Sequence, residues 1–145
     1  MIEERYVGIP YKLNGRDENG FDCVGLITFF FRKEYGIQLP DNDGEPVPHD
    51  WAKHAKARIR YHKGVMNAIP KLKKRMIWNF KELANYDVAF FEVKGIVVYM
   101  GIFLKGKKLL TTNERVKSSH IQQLWDEWEK RFKFGIRLCP QLSPQ

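Results

Sequence analysis

A run of apolar residues at helical spacing lies near the N-terminus, in the stretch "DCVGLITFFFRKEYG". Its apolar positions repeat at intervals of three and four, as they do on the buried face of a helix. Asp22 stands before the run where an N-cap residue would, and Gly36 follows it where a glycine would end the helix. The pattern therefore predicts a buried helix from about residue 23 to 35. The apolar residues concerned are Val24, Leu26, Ile27, Phe30 and Phe31.

A second pattern, between residues 87 and 113, consists of short β-branched and aromatic runs separated by lysine–glycine turns. The three runs are "DVAFFEV", "GIVVYMGIFLKG" and "KKLLTTN". Runs of this composition favour strands, and the short connections favour antiparallel pairing of neighbours. We therefore expect an antiparallel β-meander, with "KFGIRLC" as a further strand near the C-terminus.

Two other segments have the composition of helices. In "HIQQLWDEWEKRF" the apolar residues return at helical spacing, so we expect a C-terminal helix with Trp125 and Trp128 over about 120–132. The stretch "DWAKHAKARIRYHKGVMNAIPKL" has a basic face and scattered apolar positions, which favour a basic helical segment over about 49–80. No repeat or linker divides the chain, so we expect one α+β domain over residues 1–145.

Length and composition agree with one globular domain, since 43% of the 145 residues are apolar, enough for a single core. No window of about 18 residues is apolar and uncharged enough to span a membrane. The acidic start "MIEERYVGIP" differs from the basic start of a signal peptide. We therefore expect a soluble protein, without a membrane span or a secretion signal of its own.

The formal net charge of +8 leaves open an anionic-surface or nucleic-acid binding module. Basic runs are more often solvated helix faces, and no RNP-like, zinc-finger or Walker pattern accompanies them, so nucleic acid is not the expected partner. Cys23 and Cys139 form no cluster with metal-ligand spacing. We therefore expect two free thiols, no metal and no cofactor.

Cys23 would stand in the first turn of the predicted helix, and its thiol is the candidate nucleophile. The positive end of the helix dipole stabilises a thiolate, which is the nucleophilic form of cysteine. Free cysteine is also among the most buried residue types, so the alternative is a small side chain that only packs. Position alone does not decide between catalysis and packing.

The stretch "GIPYKLNGRDENGFDCVGLITFFFRKEYGIQLP" resembles the first half of an NlpC/P60 domain, a papain-like cysteine peptidase family that cuts peptidoglycan stem peptides. Downstream, "YDVAFFEV" and "YMGIFLKGKKLLTT" resemble the family's Gly-Asp-Leu-Val-Phe-Phe strand and its His-Val-Gly-Ile-Tyr-Leu-Gly hairpin. The resemblance covers roughly residues 6 to 112 and implies a papain-like α+β fold, with the Cys23 helix packed on the meander. The matching positions are Pro10, Tyr11, Gly15, Asp22, Cys23, Gly25, Leu26, Gly36, Ile37, Leu39, Pro40 and Asp87, with Val24 in place of the family's serine.

The chain departs from the family at both histidine positions. Where the resemblance places the general base, before Val-Gly-Ile, this sequence has Tyr99, and where it places the second, orienting histidine it has Thr111. A cysteine peptidase needs an imidazole to take the thiol proton and return it to the leaving amine, and a phenol with a pKa near 10 is a poor substitute. A threonine cannot orient a base as an imidazole or a carboxylate can. We therefore expect the candidate nucleophile Cys23 to be vestigial.

Four histidines remain as substitute bases. His54, His62 and His120 are the ones to consider, and His49 is the fourth. The alternative for each is an exposed side chain on a polar surface. Tyr11 also has two interpretations. The resemblance places it on the oxyanion and substrate side of the nucleophile, and the alternative is a core aromatic that fixes the loop before the helix.

With its short length and an expected tryptophan-containing helix after the meander, in "VKSSHIQQLWDEWEKRFKFGIRL", this chain resembles the NlpC/P60 domains encoded among the tail genes of bacteriophages and gene transfer agents. The resemblance implies a virion location, with other tail-tip or tail-hub proteins as partners and peptidoglycan as a further one. We expect a catalytically degenerate domain that serves as a structural or docking component of a phage tail tip. The alternatives are an active cysteine peptidase or amidase acting on peptidoglycan during phage entry, and the anionic-surface or nucleic-acid binding module.

Overall fold

The computed structural model describes residues 2–39, 75–93 and 95–138. The main helix, α1, spans Cys23–Tyr35, as the apolar spacing predicts. It begins because the side chain of Asp22 accepts a hydrogen bond from the Gly25 N–H at 2.8 Å. It ends at Gly36, whose φ of 66° is a left-handed conformation that glycine adopts without strain.

Eight strands and a shorter helix accompany α1 in the described ranges. Two short 3-10 helices, Ile2–Tyr6 and Phe80–Glu82, lie at the N-terminus and before the fourth strand. The second α-helix, α2, is Asp126–Arg131. The strands are β1 Arg16–Asp17, β2 Gly20–Phe21, β3 Arg75–Ile77, β4 Val88–Val93, β5 Ile96–Leu104, β6 Lys108–Thr111, β7 His120–Gln123 and β8 Phe132–Arg137.

Strands β3 to β8 form one antiparallel sheet in the order β3-β8-β4-β5-β6-β7, while β1 and β2 form a separate hairpin before α1. The predicted meander is confirmed as β4, β5 and β6, and the predicted last strand is confirmed as β8. Strand β8 inserts between β3 and β4 and does not extend the sheet at its edge. The prediction of an α+β fold with the helix packed on an antiparallel meander is therefore confirmed.

The sheet separates two apolar clusters because alternate residues of a strand point to opposite faces. Met100 and Ile102 of β5 belong to the cluster that contains the buried face of α1. Phe103 of the same strand belongs to the other cluster, together with Phe91 and Leu124. Cys23 packs against the first cluster and Tyr99 against the second.

A close approach between α1 and the loop before it fixes where the helix begins. A Cβ atom placed on Gly25 would lie 2.0 Å from the carbonyl oxygen of Gly15 and 2.7 Å from the Cβ of Phe21. No larger side chain fits there without moving the loop backbone, since real Cβ atoms do not approach other atoms so closely. The lack of a side chain at Gly25 therefore lets the loop pack directly against the first turn of α1.

A buried ion pair ties β8 to the loop before β4. Asp87, which is 2% exposed, accepts hydrogen bonds from Nε and Nη2 of Arg137 at 2.9 and 2.8 Å. Its second role is to accept the N–H of Ala84 at 2.8 Å. This hydrogen bonding to Asp87 raises the pKa of Arg137 above its ordinary value. The guanidinium therefore stays charged and the pair holds the two segments together.

The helix predicted over 120–132 is wrong in its first half. His120–Gln123 form β7, with His120 opposite Thr111 of β6. The backbone groups of β6 would lack partners on that side without β7, and their pairing outweighs the helical spacing of the side chains. Leu124 then lies in the second cluster at 3% exposure, whereas Trp125 is 70% exposed.

The basic helical segment predicted over 49–80 is wrong at its C-terminal end. Arg75–Ile77 form β3, because their backbone pairs with that of β8 and the side chain of Ile77 is buried. The turn that follows at Phe80 is a 3-10 helix of one turn. The part of the prediction from 49 to 74 lies outside the described residues.

Candidate functional site

Cys23 is the first residue of α1, half-buried and with a free thiol. Its position depends on Asp22, which is 3% exposed and serves three donors. Besides capping α1 at Gly25, the Asp22 carboxylate accepts the Arg16 guanidinium and the Asn14 N–H, each at 2.8 Å. The loop, the β1–β2 hairpin and the helix start therefore meet at one carboxylate, which fixes the backbone that carries the thiol.

Tyr99, at the position where the sequence resemblance places the base, lies on β5 and is held from two sides. Its hydroxyl donates a hydrogen bond to Oε1 of Gln122 at 2.6 Å. Its ring lies 4.8 Å from the ring of Trp128, centroid to centroid, at an interplanar angle of 31°. The Arg131 guanidinium lies over the Trp128 ring, 5.2 Å from the centroid of that ring. The phenol therefore has a fixed place beside β7 and α2.

The surroundings of Tyr99 keep it protonated. Burial raises the pKa of Tyr99 above its ordinary value of 10.0, and this effect outweighs the hydrogen bonds with Asn113 and Thr111 that lower it. A negative charge on Cys23 raises the pKa of Tyr99 further. A phenol that holds its proton this strongly and donates it to Gln122 is unsuited to accept a thiol proton near neutral pH.

Thr111, at the orienting position, is fully buried at the end of β6. Its hydroxyl donates to the carbonyl oxygen of Met100 at 2.9 Å, a bond that ties β6 to β5. His120 is the Cα partner of Thr111 on β7, and its Nδ1 lies 2.9 Å from the Ser118 carbonyl oxygen. His120 is therefore half-buried at the start of β7, directly across from Thr111 on the neighbouring strand. His49, His54 and His62 lie outside the described residues.

Tyr11 lines a groove next to the loop between β6 and β7. Its backbone N–H donates to the carbonyl oxygen of Lys117 at 2.9 Å, and its backbone forms a parallel bridge with Phe21. The groove has a volume of about 430 Å³ and is lined by Tyr11 and Leu13 on one side and by Glu114 and Lys117 on the other. The interpretation of Tyr11 as a residue on the substrate side stays a prediction, and the groove gives it a place where a peptide can lie.

The described ranges contain no group of three His, Cys, Asp or Glu side chains that could hold a metal ion. Nor does any helix in these ranges have the length and apolar character needed to cross a membrane. Cys139, the second predicted free thiol, falls outside the described residues.

Sequence reasoning missed the residues that surround Tyr99. Gln122, Asn113 and Trp128 reach it from β7, the loop before β7 and α2. The assignment of 120–132 to one helix hid them, because only the pairing of β7 with β6 brings Gln122 beside Tyr99. The alternating polar residues His120 and Gln122 were the one available signal for a strand.

An alkaline titration tests the state of Tyr99. We expect the phenolate absorbance that is lost in Tyr99→Phe to develop only above pH 10, because burial raises the pKa of this phenol. Since the folded-state pKa lies above the unfolded one, the contribution of Tyr99 to stability is present below pH 10 and falls as the pH rises further. Difference absorbance spectra of the wild type and Tyr99→Phe measure it. A midpoint below 10 would contradict the inferred environment.

Three comparisons with known proteins agree with this geometry. Residues 8–134 match the family model of the NlpC/P60 family. The chain is 26% identical over 137 residues to the gamma-D-glutamyl-L-lysine dipeptidyl-peptidase of Bacillus subtilis (strain 168), a match that covers 92% of this chain and 38% of the relative. The chain therefore spans well under half the length of that curated relative.

Solved structures share the fold at low identity. The NlpC/P60 domain of the peptidoglycan hydrolase SagA superposes with a TM-score of 0.59 at 19% identity, covering 93% of this chain and 92% of that one. An NlpC/P60 family protein from Bacillus cereus superposes with a TM-score of 0.65 at 19% identity, covering 95% of this chain and 38% of that one. These similarities confirm the papain-like α+β fold that the sequence resemblance implied.

Proposed function

The chain belongs to the NlpC/P60 family, and from that premise we propose that it is a catalytically degenerate member that serves as a structural or docking component of a phage tail tip. The domain has the fold of peptidoglycan hydrolases of the family. Its partners are other tail-tip or tail-hub proteins, its location is the virion, and peptidoglycan is a surface that it contacts.

One observation carries the loss of catalysis. The side chain at the base position is a phenol with a raised pKa whose proton is donated to Gln122. The side chain at the orienting position, Thr111, uses its hydroxyl to bond the neighbouring strand. Cys23 thus lacks a proton acceptor at both positions where the family has histidines, and general base catalysis contributes a factor of roughly 10² to 10⁴ to such reactions.

Exposed aromatic side chains support a docking role. Trp78 is 69% exposed and Trp125 is 70% exposed, although both are large side chains that are normally at least partly covered. Tryptophan is enriched among the residues that contribute most to protein–protein binding. The assignment to a tail tip rests on the resemblance of the tryptophan-containing segment after the meander to that of phage tail proteins. A tail-tip role requires surfaces of this kind.

A second candidate is an active peptidoglycan hydrolase. Cys23 keeps the position of the nucleophile at the start of α1, where the helix dipole favours a thiolate. In this case another side chain, at a position other than that of the family's histidine, would accept the proton of the Cys23 thiol. The name of the Bacillus subtilis relative suggests a γ-D-glutamyl peptide bond as the substrate to test.

The experiment compares the wild type with Cys23→Ser on purified peptidoglycan and on a γ-D-glutamyl dipeptide amide, with products separated by chromatography. We expect the two proteins to release the same background amount, because neither a serine hydroxyl nor a thiol is an effective nucleophile without a base at the family's histidine positions. Circular dichroism verifies that the variant folds. Product that depends on Cys23 would refute the loss of catalysis and support the second candidate.

The docking part is tested in the phage or bacterium that carries the gene. We expect the protein in purified tails, normal particle yield with Cys23→Ser, and no tail completion when the gene is deleted. Mass spectrometry of purified tails and electron microscopy measure these outcomes. Normal tails without the protein would refute the structural role.

A further inference from the structure

A groove with lysines at its rim has none of Cys23, Tyr99 and Thr111 among the described residues that line it. One wall is the 3-10 helix at Phe80–Glu82 with the loop that follows it to Asn85, and the other is the β5–β6 turn, Lys105 to Lys107. Its volume is about 560 Å³, within the range of pockets that hold small ligands or peptide side chains. We propose that this lysine groove docks an acidic segment of a partner protein. The proposal does not depend on whether Cys23 is catalytic.

The walls of the lysine groove are held in place before any ligand binds. The Asn85 side chain accepts the Lys105 N–H at 3.0 Å, which links the two walls directly. From outside the groove, the Gln123 side-chain amide donates to the carbonyl oxygens of Gly106 and Lys107 at 3.1 and 2.9 Å. A turn fixed in this way loses little conformational entropy when a ligand is bound.

The floor of the lysine groove is aromatic and nearly buried. Phe80 and Phe103 are each 6% exposed and meet edge to face, with ring centroids 5.9 Å apart. Neither ring offers a free face on which a nucleobase can stack, as surfaces that bind single-stranded nucleic acid usually do. The floor suits an aliphatic or aromatic side chain better than a base. An acidic peptide with an apolar side chain therefore fits the groove better than nucleic acid does.

The charge at the rim has one sign. Lys81, Lys105 and Lys107 are exposed, and none forms an ion pair within the described part of the chain. Among the described residues that line the groove, none is acidic. Carboxylates of a bound segment would therefore find three ammonium groups around an apolar floor, and attraction would also speed the encounter.

The lysine groove is remote from the candidate site. Tyr99 lies within β5 and Lys105 directly follows its last residue, six residues further on, which corresponds to roughly 20 Å along an extended strand. A ligand in the groove therefore leaves Cys23, Tyr99 and the groove at Tyr11 open. The domain can dock to a partner on this face while its family site faces elsewhere.

Fluorescence anisotropy of labelled peptides tests the proposal. The probes are a panel of short peptides with one central Phe, Leu or Trp flanked by Asp and Glu, the same peptides with Asn and Gln instead, and a hexathymidylate. The variant carries Lys81→Gln, Lys105→Gln and Lys107→Gln. The control variant removes the same charge elsewhere, through Lys12→Gln, Lys33→Gln and Lys130→Gln, all at exposed lysines.

We expect an acidic peptide to bind the wild type and the control variant with similar Kd values, and the groove variant roughly tenfold more weakly at about 0.05 M salt. Amide chemical shift changes should centre on residues 80–85 and 103–107. Equal weakening of peptide binding by both variants would mean that the net charge of the protein, and not the groove, determines the affinity. That result would overturn the proposal. Tighter binding of hexathymidylate than of any acidic peptide, or no binding by the whole panel at about 1 mM, would also overturn it.

Discussion

Tyr99→His is expected to give the protein a Cys23-dependent hydrolytic activity on the γ-D-glutamyl substrate, roughly 100-fold or more above the wild-type background. A thiolate at Cys23 raises the pKa of the side chain at position 99, so an imidazolium there would in turn favour the thiolate over the thiol. The Gln122 side chain, which now accepts the Tyr99 hydroxyl at 2.6 Å, is placed to accept an imidazole N–H and orient the ring. Initial rates against pH measure the gain.

Two controls isolate the imidazole. Tyr99→Phe keeps the ring that packs on Trp128 but offers no base, so it should remain at background. Tyr99→His combined with Cys23→Ser should also remain at background, since the thiol is absent. A Tyr99→His protein that folds but gains no activity would contradict the prediction, because a histidine at position 99 would then not be enough to make Cys23 reactive. Wild-type activity equal to that of Tyr99→His would place the base elsewhere.

The largest expected effect on stability is that of Asp22→Ala. The change removes the cap of α1, and it takes away the carboxylate that accepts hydrogen bonds from the partly buried Arg16 guanidinium and from the Asn14 N–H. Breaking a buried charge pair by removing one partner costs about 3–5 kcal/mol, and we expect a loss of that size in the free energy of unfolding. Urea unfolding followed by circular dichroism measures it.

Asp22→Asn and Glu18→Ala provide the scale for this effect. The asparagine keeps an oxygen that can cap α1 but loses the charge that faces Arg16, so its loss should be smaller than that of Asp22→Ala. Glu18 is exposed in the β1–β2 hairpin, and its change to alanine should stay within about 0.5 kcal/mol. A loss of less than about 1 kcal/mol for Asp22→Ala would contradict the role of this carboxylate as the junction of the three segments.

The helix α1 could be predicted to the residue because every local signal agreed. Asp22, the apolar spacing and Gly36 all pointed to the same bounds, and tertiary contacts had nothing to overrule. The segment 120–132 shows the opposite case. Its side-chain spacing was helical, but the need of β6 for a backbone partner decided the structure of His120–Gln123. Such a partner belongs to the sheet and is not encoded within the segment itself.

The same limit applies to the candidate site. Cys23, Tyr99 and Thr111 could be named from the sequence because each stands at a fixed place in a local motif. Gln122 and Trp128 act on Tyr99 only through the pairing of β7 and the packing of α2, which no local pattern specifies. The sequence therefore named these three positions, while the structure indicated which side chains surround Tyr99.

The order of strands in the sheet also bears on how the chain is made. Strand β8 lies between β3 and β4, and its Arg137 pairs with Asp87, 50 residues earlier. On the ribosome, β4 is synthesised long before β8, so one side of β4 waits with open backbone groups and the apolar residues Phe90 and Phe91. An open strand edge of this kind can pair with another chain. Until residue 137 has emerged, the nascent chain is therefore exposed to aggregation at this strand edge. A ribosome-associated chaperone that binds apolar segments would protect the chain during this interval.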